Sequence, residues 1–264
     1  MTGRFVGKHV IVTGAGRGIG QATAQRFASE GAEVMLVGRD PATLVETAEL
    51  IAAEGGRAFA QGADVRDSSS IAAAVAVGCA RWGGRIDVLV NNAGIDDDTP
   101  FLDVAEERWE AVVGTNLTGP FLFSQAVARE MVKTGGGAIL HNASIDASGA
   151  DGPFASYNAS KAGLLGLNRT IAMELAPHGI RSNCVSPGFT HTAMTERAVG
   201  PAMMGYLNGG FERVPMRRLV KPAEIAAAFA FLASEDASGI TGTNLTVDCG
   251  LTANWFILET LPEL

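Results

Sequence analysis

A tyrosine and a lysine four positions apart are the side chains in this chain best suited to proton transfer. Tyr157 and Lys161 stand in the run Y-N-A-S-K, and residues at that spacing share one face of a helix. The chain has only two tyrosines, and its composition gives a Tyr-x-x-x-Lys by chance about 0.03 times. A phenol titrates near pH ~10, and a nearby ammonium favours the phenolate, at roughly 1.4 kcal/mol per pKa unit. The pair predicts a general acid/base for a carbonyl or alcohol oxygen; the alternative is an accidental pair on a surface helix.

A glycine-rich turn near the N-terminus predicts a site for a phosphate or pyrophosphate. The stretch from Thr13 to Gly20 reads T-G-A-G-R-G-I-G, follows the β-branched run 10–12 and precedes an apolar helical pattern. A helix start presents free N–H groups and a positive dipole end to an anion, and glycines let the backbone approach it. The spacing differs from G-x-G-x-x-G, because Ile19 stands at the last glycine position, and no P-loop Gly-Lys-Ser/Thr follows. A plain strand-to-helix turn is the alternative.

The elements that must position these residues follow from an alternation of short β-branched runs with alanine-rich amphipathic stretches. Strands are predicted at 10–13, 34–37, 58–63, 86–91, 138–142, 180–185 and 244–247, and helices include 41–53, 69–81 and 222–232. This order predicts βαβ units with right-handed crossovers, and hence an α/β fold with a parallel sheet of about seven strands and helices on both faces. No linker or repeat interrupts it, so residues 1–264 are predicted to form a single doubly wound domain.

Three segments stand apart from this alternation. Residues 192–218 are rich in methionine and glycine, which predicts a mobile apolar lid over a cleft or, alternatively, an ordinary pair of surface helices. The three glycines at 135–137 predict a helix end and turn rather than a second nucleotide loop. The tail 251–264 is apolar around Trp255 and Phe256, which predicts burial at a subunit interface.

Composition and charge argue against several classes of function. The chain has 264 residues, of which 47% are hydrophobic and 18% charged, as in a compact globular protein. Its net charge of −8 disfavours a nucleic-acid partner. The chain has no run of eighteen apolar residues and a polar start, so we expect no membrane partner and a cytoplasmic location. The three cysteines lack C-x-x-C spacing and the four histidines lack metal-ligand spacing, which predicts free thiols and no metal site.

Taken with further motifs, these features resemble the short-chain dehydrogenase/reductase family, in its single-domain form similar to 3-oxoacyl-acyl-carrier-protein reductases. The resemblance spans roughly residues 7–250, with the motifs in the family's order. They are the T-G-x-x-x-G-x-G turn from Thr13 to Gly20, Asp64-Val65, Asn91-Asn92-Ala93-Gly94, Asn116, Ser144 thirteen residues before Tyr157, Lys161, and Pro187-Gly188 followed by Thr192. The resemblance implies a Rossmann fold, a nicotinamide cofactor and a homotetramer.

The resemblance also implies catalytic roles for four residues. Ser144 would hydrogen-bond the substrate oxygen and stabilise its developing negative charge. Tyr157 would be the general acid/base. Lys161 would hold the nicotinamide ribose and lower the pKa of Tyr157, an effect to which a nicotinamide cation would add. Asn116 would position a water that links Lys161 to solvent.

The implied cofactor contacts lie in the same motifs. Backbone groups from Gly188 to Thr190 and the Thr192 hydroxyl would orient the carboxamide, so that one face of the ring meets the substrate. The implied set consists of Gly14, Arg17, Gly18, Ile19, Gly20, Arg39, Asp64, Val65, Asn91, Ala93, Gly94, Tyr157, Lys161, Pro187, Gly188, Thr190 and Thr192.

The end of the second predicted strand bears on the choice of cofactor, because this position reads the adenosine ribose. An acidic residue there binds the ribose hydroxyls and repels a 2′-phosphate, but the chain has Gly38 at the usual position. Arg39 follows and Arg17 lies inside the glycine turn, so two guanidinium groups favour NADP(H). The alternatives are that Arg17 is a solvated turn residue, that Arg39 pairs with Asp40, and that Asp40 reaches the ribose, which would favour NAD(H).

The sequence thus predicts an NADP(H)-dependent oxidoreductase acting on a ketone or secondary alcohol. An NAD-dependent alcohol dehydrogenase and a non-catalytic nucleotide-binding regulator are alternatives, although such regulators commonly lose the Tyr, Lys or Ser that this chain retains. A dehydratase or epimerase stays open through Asp146 and Asp151. A carrier-bound substrate stays open through Arg129 and Arg169, although the acidic net charge disfavours it. No residue pattern selects the substrate.

Overall fold

A computed structural model describes residues 3–254, apart from the side chains of 198 and 199, and within them seven strands form one parallel sheet. The strands are β1 (His9–Thr13), β2 (Glu33–Gly38), β3 (Arg57–Gly62), β4 (Val88–Asn91), β5 (Gly137–Asn142), β6 (Ile180–Pro187) and β7 (Asn244–Val247). Their order is β3-β2-β1-β4-β5-β6-β7, and every neighbouring pair is parallel. The predicted doubly wound α/β fold is confirmed.

Eight α-helices connect these strands within the described chain. They are α1 (Gly18–Ser29), α2 (Pro41–Ala53), α3 (Ser68–Arg81), α4 (Glu106–Val113), α5 (Gly119–Thr134), α6 (Ala155–Leu175), α7 (Ala193–Gly209) and α8 (Pro222–Ala233). Local signals set their ends: Asp40 and Asp67 accept hydrogen bonds from the first turns of α2 and α3. Gly135 ends α5 in the left-handed region, at φ +91°, so the predicted helix end at 135–137 is confirmed.

Strand residues alternate between two apolar cores, one on each face of the sheet. Val10 and Val12 of β1 pack in the core that holds Phe27 of α1 and Phe229 of α8. Ile11, between them, packs in the other core with Phe123 of α5. Since successive side chains of a strand point to opposite faces, a strand covered by helices on both faces is apolar on both, as the central residues Val10, Ile11 and Val12 of β1 are.

The sheet brings the chemical motifs to one edge. β1 lies between β2 and β4, so the connections run in opposite directions on its two sides and leave a crevice at the carboxyl ends of the strands. The glycine turn follows β1, Asn91 ends β4, Ser144 follows β5, and Pro187 ends β6. Residues far apart in the sequence therefore converge on one crevice.

The segment 192–218 forms α7 and the loop after it. α7 is interrupted at Gly200, which has φ +72° and precedes Pro201, so the helix consists of two pieces. Its apolar residues pack into a separate cluster of Met204, Leu207, Phe211, Val214 and Leu219. The segment thus has its own small core, and its predicted mobility as a lid stays a prediction.

Other expectations from composition meet the structure in part. No helix among the described residues is long and apolar enough to cross a membrane. Cys79, Cys184 and Cys249 are free thiols, and residues 3–254 contain no cluster of side chains with the makings of a metal site. Most of the predicted interface tail, residues 255–264, lies outside the described residues.

Candidate active site

Tyr157 and Lys161 lie on one face of α6, as their spacing predicts. Lys161 Nζ is 5.3 Å from the centroid of the Tyr157 ring. The lysine side chain is only 4% exposed, and its ammonium donates a hydrogen bond of 2.6 Å to the Asn142 carbonyl at the end of β5. Burial lowers the pKa of Lys161 to about 8, because desolvation disfavours the charged form. A strand end therefore fixes the ammonium beside the phenol.

Ser144 follows β5 and lies beside the Tyr157 hydroxyl. Burial raises the pKa of Tyr157 above its usual range; the carboxylates of Asp146, Asp96 and Asp151 raise it further, and a hydrogen bond with Ser144 opposes the rise. Among the protein's own groups, burial and the carboxylates thus set the direction of the shift. The lowering of this pKa by Lys161 stays a prediction.

Asn116 lies in a π-helical turn, Gly114–Thr118, between α4 and α5. Its side-chain oxygen accepts from Ile95 N (2.9 Å), while its amide nitrogen donates to Ile95 O (2.8 Å) and Ser160 Oγ (3.2 Å). The side chain therefore fastens the loop after β4 to α6. The predicted water contact of Asn116 stays a prediction.

A network of polar side chains joins the glycine turn to the ends of β4 and β5. Thr13 Oγ1 accepts hydrogen bonds from the backbone of Asn92 and Ala93, each at 3.0 Å. Asn92 Nδ2 donates to the carbonyls of Thr13 and Gly14, and its oxygen accepts from Asn142 Nδ2. The sequence analysis predicted no role for Asn92 or Asn142. Asn92 belongs to the N-N-A-G motif, which was the signal in the sequence from which its role could have been predicted.

Asn91, predicted as a cofactor contact, turns its side chain into the protein. It is 3% exposed and donates to Ser124 Oγ (2.9 Å), with His141 Nδ1 at 3.4 Å. In a buried parallel strand, alternate residues face away from the crevice, and Asn91 occupies such a position. The side chain of Asn91 is thus engaged inside the protein, and its predicted contact with a cofactor stays a prediction that falls to its backbone.

The glycine turn has the shape of a cradle for a pyrophosphate. Gly14 and Gly18 have φ of +64° and +57°, where L-residues are strained. A Cβ on Gly14 would lie 2.8 Å from Ala93 Cα, and one on Gly20 would lie 2.1 Å from the Gly14 carbonyl oxygen. The turn opens into the start of α1 at Gly18, so its N–H groups and helix dipole suit an anion. The residues present fit a dinucleotide.

At the adenosine end of the crevice, Asp40 pairs with Arg17 rather than with Arg39. Arg17 Nη2 lies 3.3 Å from Asp40 Oδ2, and both side chains are more than half exposed. Asp40 also accepts from Ala42 N at the start of α2, so this carboxylate is engaged by a guanidinium and a helix cap. Arg39 is exposed at the end of β2. A surface ion pair contributes only about 0–1 kcal/mol, so Arg17 can exchange Asp40 for a phosphate.

Two other predicted adenosine contacts have internal partners. Asp64 forms an ion pair with Arg66, whose guanidinium lies 2.8 Å from the carboxylate, and this lowers the pKa of Asp64. Val65 is buried at 7% exposure, and its carbonyl oxygen lies 2.8 Å from where a Cβ on Gly119 would stand. An adenine bound at this site would hydrogen-bond a carboxylate that is already paired with Arg66.

The predicted nicotinamide contacts lie opposite the glycine turn. Thr192 caps α7 by accepting from Thr195 N, and its Cγ2 would be 3.5 Å from a Cβ on Gly18. Thr190 Oγ1 donates to the Gly188 carbonyl at 2.8 Å, which tightens the backbone after Pro187. The two motifs thus face each other across the crevice. Gly94 faces the catalytic side, where a Cβ would lie 3.3 Å from Asn116 Oδ1, and Ile19 packs against the core.

Comparison with known proteins agrees with this geometry. Residues 14–252 match a family model described as enoyl-(acyl carrier protein) reductase. The chain is 42% identical to an L-rhamnose 1-dehydrogenase (NAD(P)(+)) of Azotobacter vinelandii, over 95% of this chain and 98% of that protein. It is 39% identical to the 3-oxoacyl-(acyl-carrier-protein) reductase FabG of Thermotoga maritima, over 94% of this chain and 99% of that protein.

Solved structures give the same result. A short-chain type dehydrogenase/reductase from Mycobacterium marinum superposes with a TM-score of 0.88 at 35% identity, covering 95% of this chain and 97% of the other. These matches span nearly the whole chain, and they agree with the glycine cradle and the arrangement of Ser144, Tyr157 and Lys161. The protein therefore belongs to the short-chain dehydrogenase/reductase family of oxidoreductases.

Proposed function

We propose that this protein transfers hydride between NADP(H) and a ketone or secondary alcohol, with Tyr157 as general acid/base. The observation that carries the proposal is the convergence of Ser144, Tyr157 and Lys161 on the crevice that the glycine turn enters. When bound, the nicotinamide supplies or accepts the hydride and, when oxidised, adds a positive charge. The residues of the chain bind it, orient the substrate and move the proton.

Each of the three side chains has a distinct task in this proposal. Ser144 donates a hydrogen bond to the substrate oxygen and stabilises negative charge that develops there. Tyr157 gives its proton to that oxygen during reduction and takes it back during oxidation. Lys161, held by the Asn142 carbonyl, stabilises the phenolate that remains and contacts the ribose. Its buried position strengthens that attraction, because little water screens it.

Proton supply to Tyr157 is proposed to pass by Lys161 and Asn116. A Cβ on Gly94 would lie 3.3 Å from Asn116 Oδ1 and 3.7 Å from Lys161 Nζ, so the two polar groups flank the same glycine. A water held by the Asn116 π-turn would then connect Lys161 to solvent.

Phenylalanine at position 157 tests the chemistry. Tyr157→Phe keeps the ring beside Lys161 but removes the exchangeable proton, and general acid/base catalysis contributes about 100- to 10,000-fold. We expect kcat/KM to fall by that factor while the Kd for NADPH, measured by fluorescence titration, changes less than about threefold. Turnover that survives in Tyr157→Phe would contradict the mechanism. Intact Tyr157 with no turnover of any carbonyl would favour the nucleotide-binding regulator.

The preference for NADP(H) is proposed from Arg17 and Arg39. Asp40 is turned towards Arg17 and the start of α2, which disfavours a carboxylate reaching the ribose, and Gly38 has none to offer. The named rhamnose dehydrogenase relative uses NAD(P)(+), so both cofactors occur among similar proteins. An NAD-dependent alcohol dehydrogenase is the second candidate.

A charge reversal at position 39 tests this preference. A charge-assisted contact to phosphate is worth about 10- to 100-fold, so Arg39→Asp should lower kcat/KM for NADPH by that factor and spare NADH. Arg57→Asp makes the same charge change at the exposed first residue of β3 and serves as the control, because the amino ends of the strands lie away from the crevice at their carboxyl ends. Equal use of NADPH by Arg39→Asp and the native enzyme would exclude Arg39 as the contact.

By likeness to the family, we further propose that residues 1–264 form a single domain, that the protein is a homotetramer and that it is located in the cytoplasm. The apolar run at 254–258 supports burial at a subunit interface. Light scattering tests the tetramer directly, and a monomeric mass would contradict it.

A further inference from the structure

A cavity of about 660 Å³ adjoins the proposed reaction site through the loop that follows Ser144, whose residues Ile145 and Asp146 line it. One wall is the loop after β5, which contributes Asp146 and Asp151. The facing wall is aromatic: Phe189 and Phe211 pack edge to face, with ring centroids 5.4 Å apart. A cavity with a carboxylate wall and an aromatic wall suits a ligand that has both hydroxyl groups and a C–H face.

Asp146 is bound directly to the residue that we propose to hold the substrate oxygen. The Ser144 hydroxyl donates to Asp146 Oδ2 at 3.2 Å, and the Asp146 backbone N–H donates to Ser144 Oγ at 3.1 Å. Asp146 Oδ1 has no hydrogen-bond partner within residues 3–254. The reacting oxygen and this carboxylate are thus neighbours of the same hydroxyl group.

Substrate binding would change the hydrogen bonds of this carboxylate. When Ser144 turns its proton to the substrate oxygen, Asp146 Oδ2 loses its donor while the side chain stays half-buried. A half-buried acceptor left without a donor is unfavourable. A hydroxyl on the carbon next to the reacting carbon lies one hydrogen bond away and can replace the lost donor, whereas a monohydroxy substrate cannot.

The charges around the site narrow the choice of ligand. Asp146, Asp151 and Asp96 all act on the Tyr157 hydroxyl and would repel an anionic group brought next to the reacting carbon. Arg213 also lines the cavity, so its lining carries both signs of charge. A hydroxyl donates a hydrogen bond without adding charge, and this suits a position next to the carboxylates.

We propose that Asp146 selects substrates with a hydroxyl group adjacent to the reacting carbon, and hence that the protein acts on polyols or sugars. The inference rests on the proposed function, since it needs Ser144 and Tyr157 at the reacting oxygen. Asp146 accepts the hydrogen bond of the neighbouring hydroxyl, and the Phe189–Phe211 wall packs against the C–H face of the substrate.

The test uses pairs of alcohols that differ by one hydroxyl: 2-butanol with 2,3-butanediol, cyclohexanol with trans-1,2-cyclohexanediol, and 2-deoxyglucose with glucose. The kcat/KM of each is measured with both nicotinamide cofactors. We expect the native enzyme to favour the additionally hydroxylated member of a pair by about 10- to 100-fold, the worth of a hydrogen bond to a charged group. Asp146→Ala should remove this preference.

Two further variants separate recognition from structure. Asp146→Asn keeps an acceptor oxygen near Ser144 and should retain part of the preference. Asp103→Asn makes the same charge change at an exposed residue outside the cavity and should leave both rates unchanged.

The outcomes distinguish the inference from the function beneath it. Equal loss on both members of a pair in Asp146→Ala would show that Asp146 acts only through Ser144, and would overturn the inference. So would a native enzyme that prefers the monohydroxy member, or one that turns over a 3-oxoacyl ester but no diol or sugar. Absence of turnover with any of these compounds and either cofactor would contradict the proposed function itself.

Discussion

His141 provides a sharp test of the packing that supports the active site. Its ring is fully buried in β5, with Nδ1 3.4 Å from Asn91 Nδ2 and Nε2 3.4 Å from Ser182 Oγ. Because an amide NH₂ only donates, Nδ1 accepts and Nε2 carries the single proton. Burial lowers the pKa of His141 from 6.5 to about 3, so the folded protein holds it neutral. The unfolded chain protonates it below pH ~6.5.

This difference sets a pH dependence of stability with a definite sign. Between pH ~3 and ~6.5 the unfolded state binds one proton more than the folded state, so the free energy of unfolding falls as the pH falls. A pH of 5 lies about 1.5 units below the pKa of the unfolded histidine. The free energy of unfolding is therefore about 2 kcal/mol lower at pH 5 than at pH 7. His141→Gln removes the titrating group.

Urea unfolding at pH 7, 6 and 5 measures the effect. Between pH 7 and pH 5 the native protein should lose about 2 kcal/mol more than His141→Gln does. His178→Gln, at an exposed position before β6, is the matched control and should follow the native protein. An unchanged pH dependence in His141→Gln would refute the idea that the ring is kept neutral by burial.

Two more predictions concern the cradle and the ammonium. Gly14→Ala and Gly55→Ala both place an alanine at positive φ, but only a Cβ at position 14 would meet backbone, 2.8 Å from Ala93 Cα. Gly14→Ala should therefore lower the free energy of unfolding in urea by about 1–3 kcal/mol more than Gly55→Ala, and it should weaken NADPH binding. Equal losses would exclude the close approach as the reason for glycine. Lys161→Met should lower kcat/KM by at least about 100-fold yet leave the Tm unchanged or higher, because it removes a buried charge. A clear fall in Tm would mean that the ammonium stabilises the fold.

The sequence carried much of the fold and of the candidate site because both depend on local patterns. The centre of β1, Val10 to Val12, is apolar and β-branched, and the glycine turn and α1 follow the strand directly, so the order of strand, turn and helix could be predicted. The spacing of Tyr157 and Lys161 placed both on one helix face, since helical geometry is the same wherever the helix lies.

The sequence left open which way a side chain turns and what surrounds it. Asn91 belongs to a recognisable motif, but the pleat of β4 turns its side chain towards Ser124. Asp40 pairs with Arg17, its neighbour only through the packing of α1 and α2 onto the sheet. Neither contact leaves a signal in the order of residues.

By itself, the sequence determined the order of strands and helices, the glycine turn and the placing of Tyr157 and Lys161 on one helix face, because hydrophobic period and residue spacing are local properties. The tertiary structure decided the environment of that pair. It buried Lys161 against the Asn142 carbonyl, and it brought Asp96, Asp146 and Asp151, from two separate loops, around Tyr157. Desolvation and through-space charge depend on distances between remote segments, so the rise in the pKa of Tyr157 and the link between Ser144 and Asp146 emerged only when the sheet aligned its strand ends.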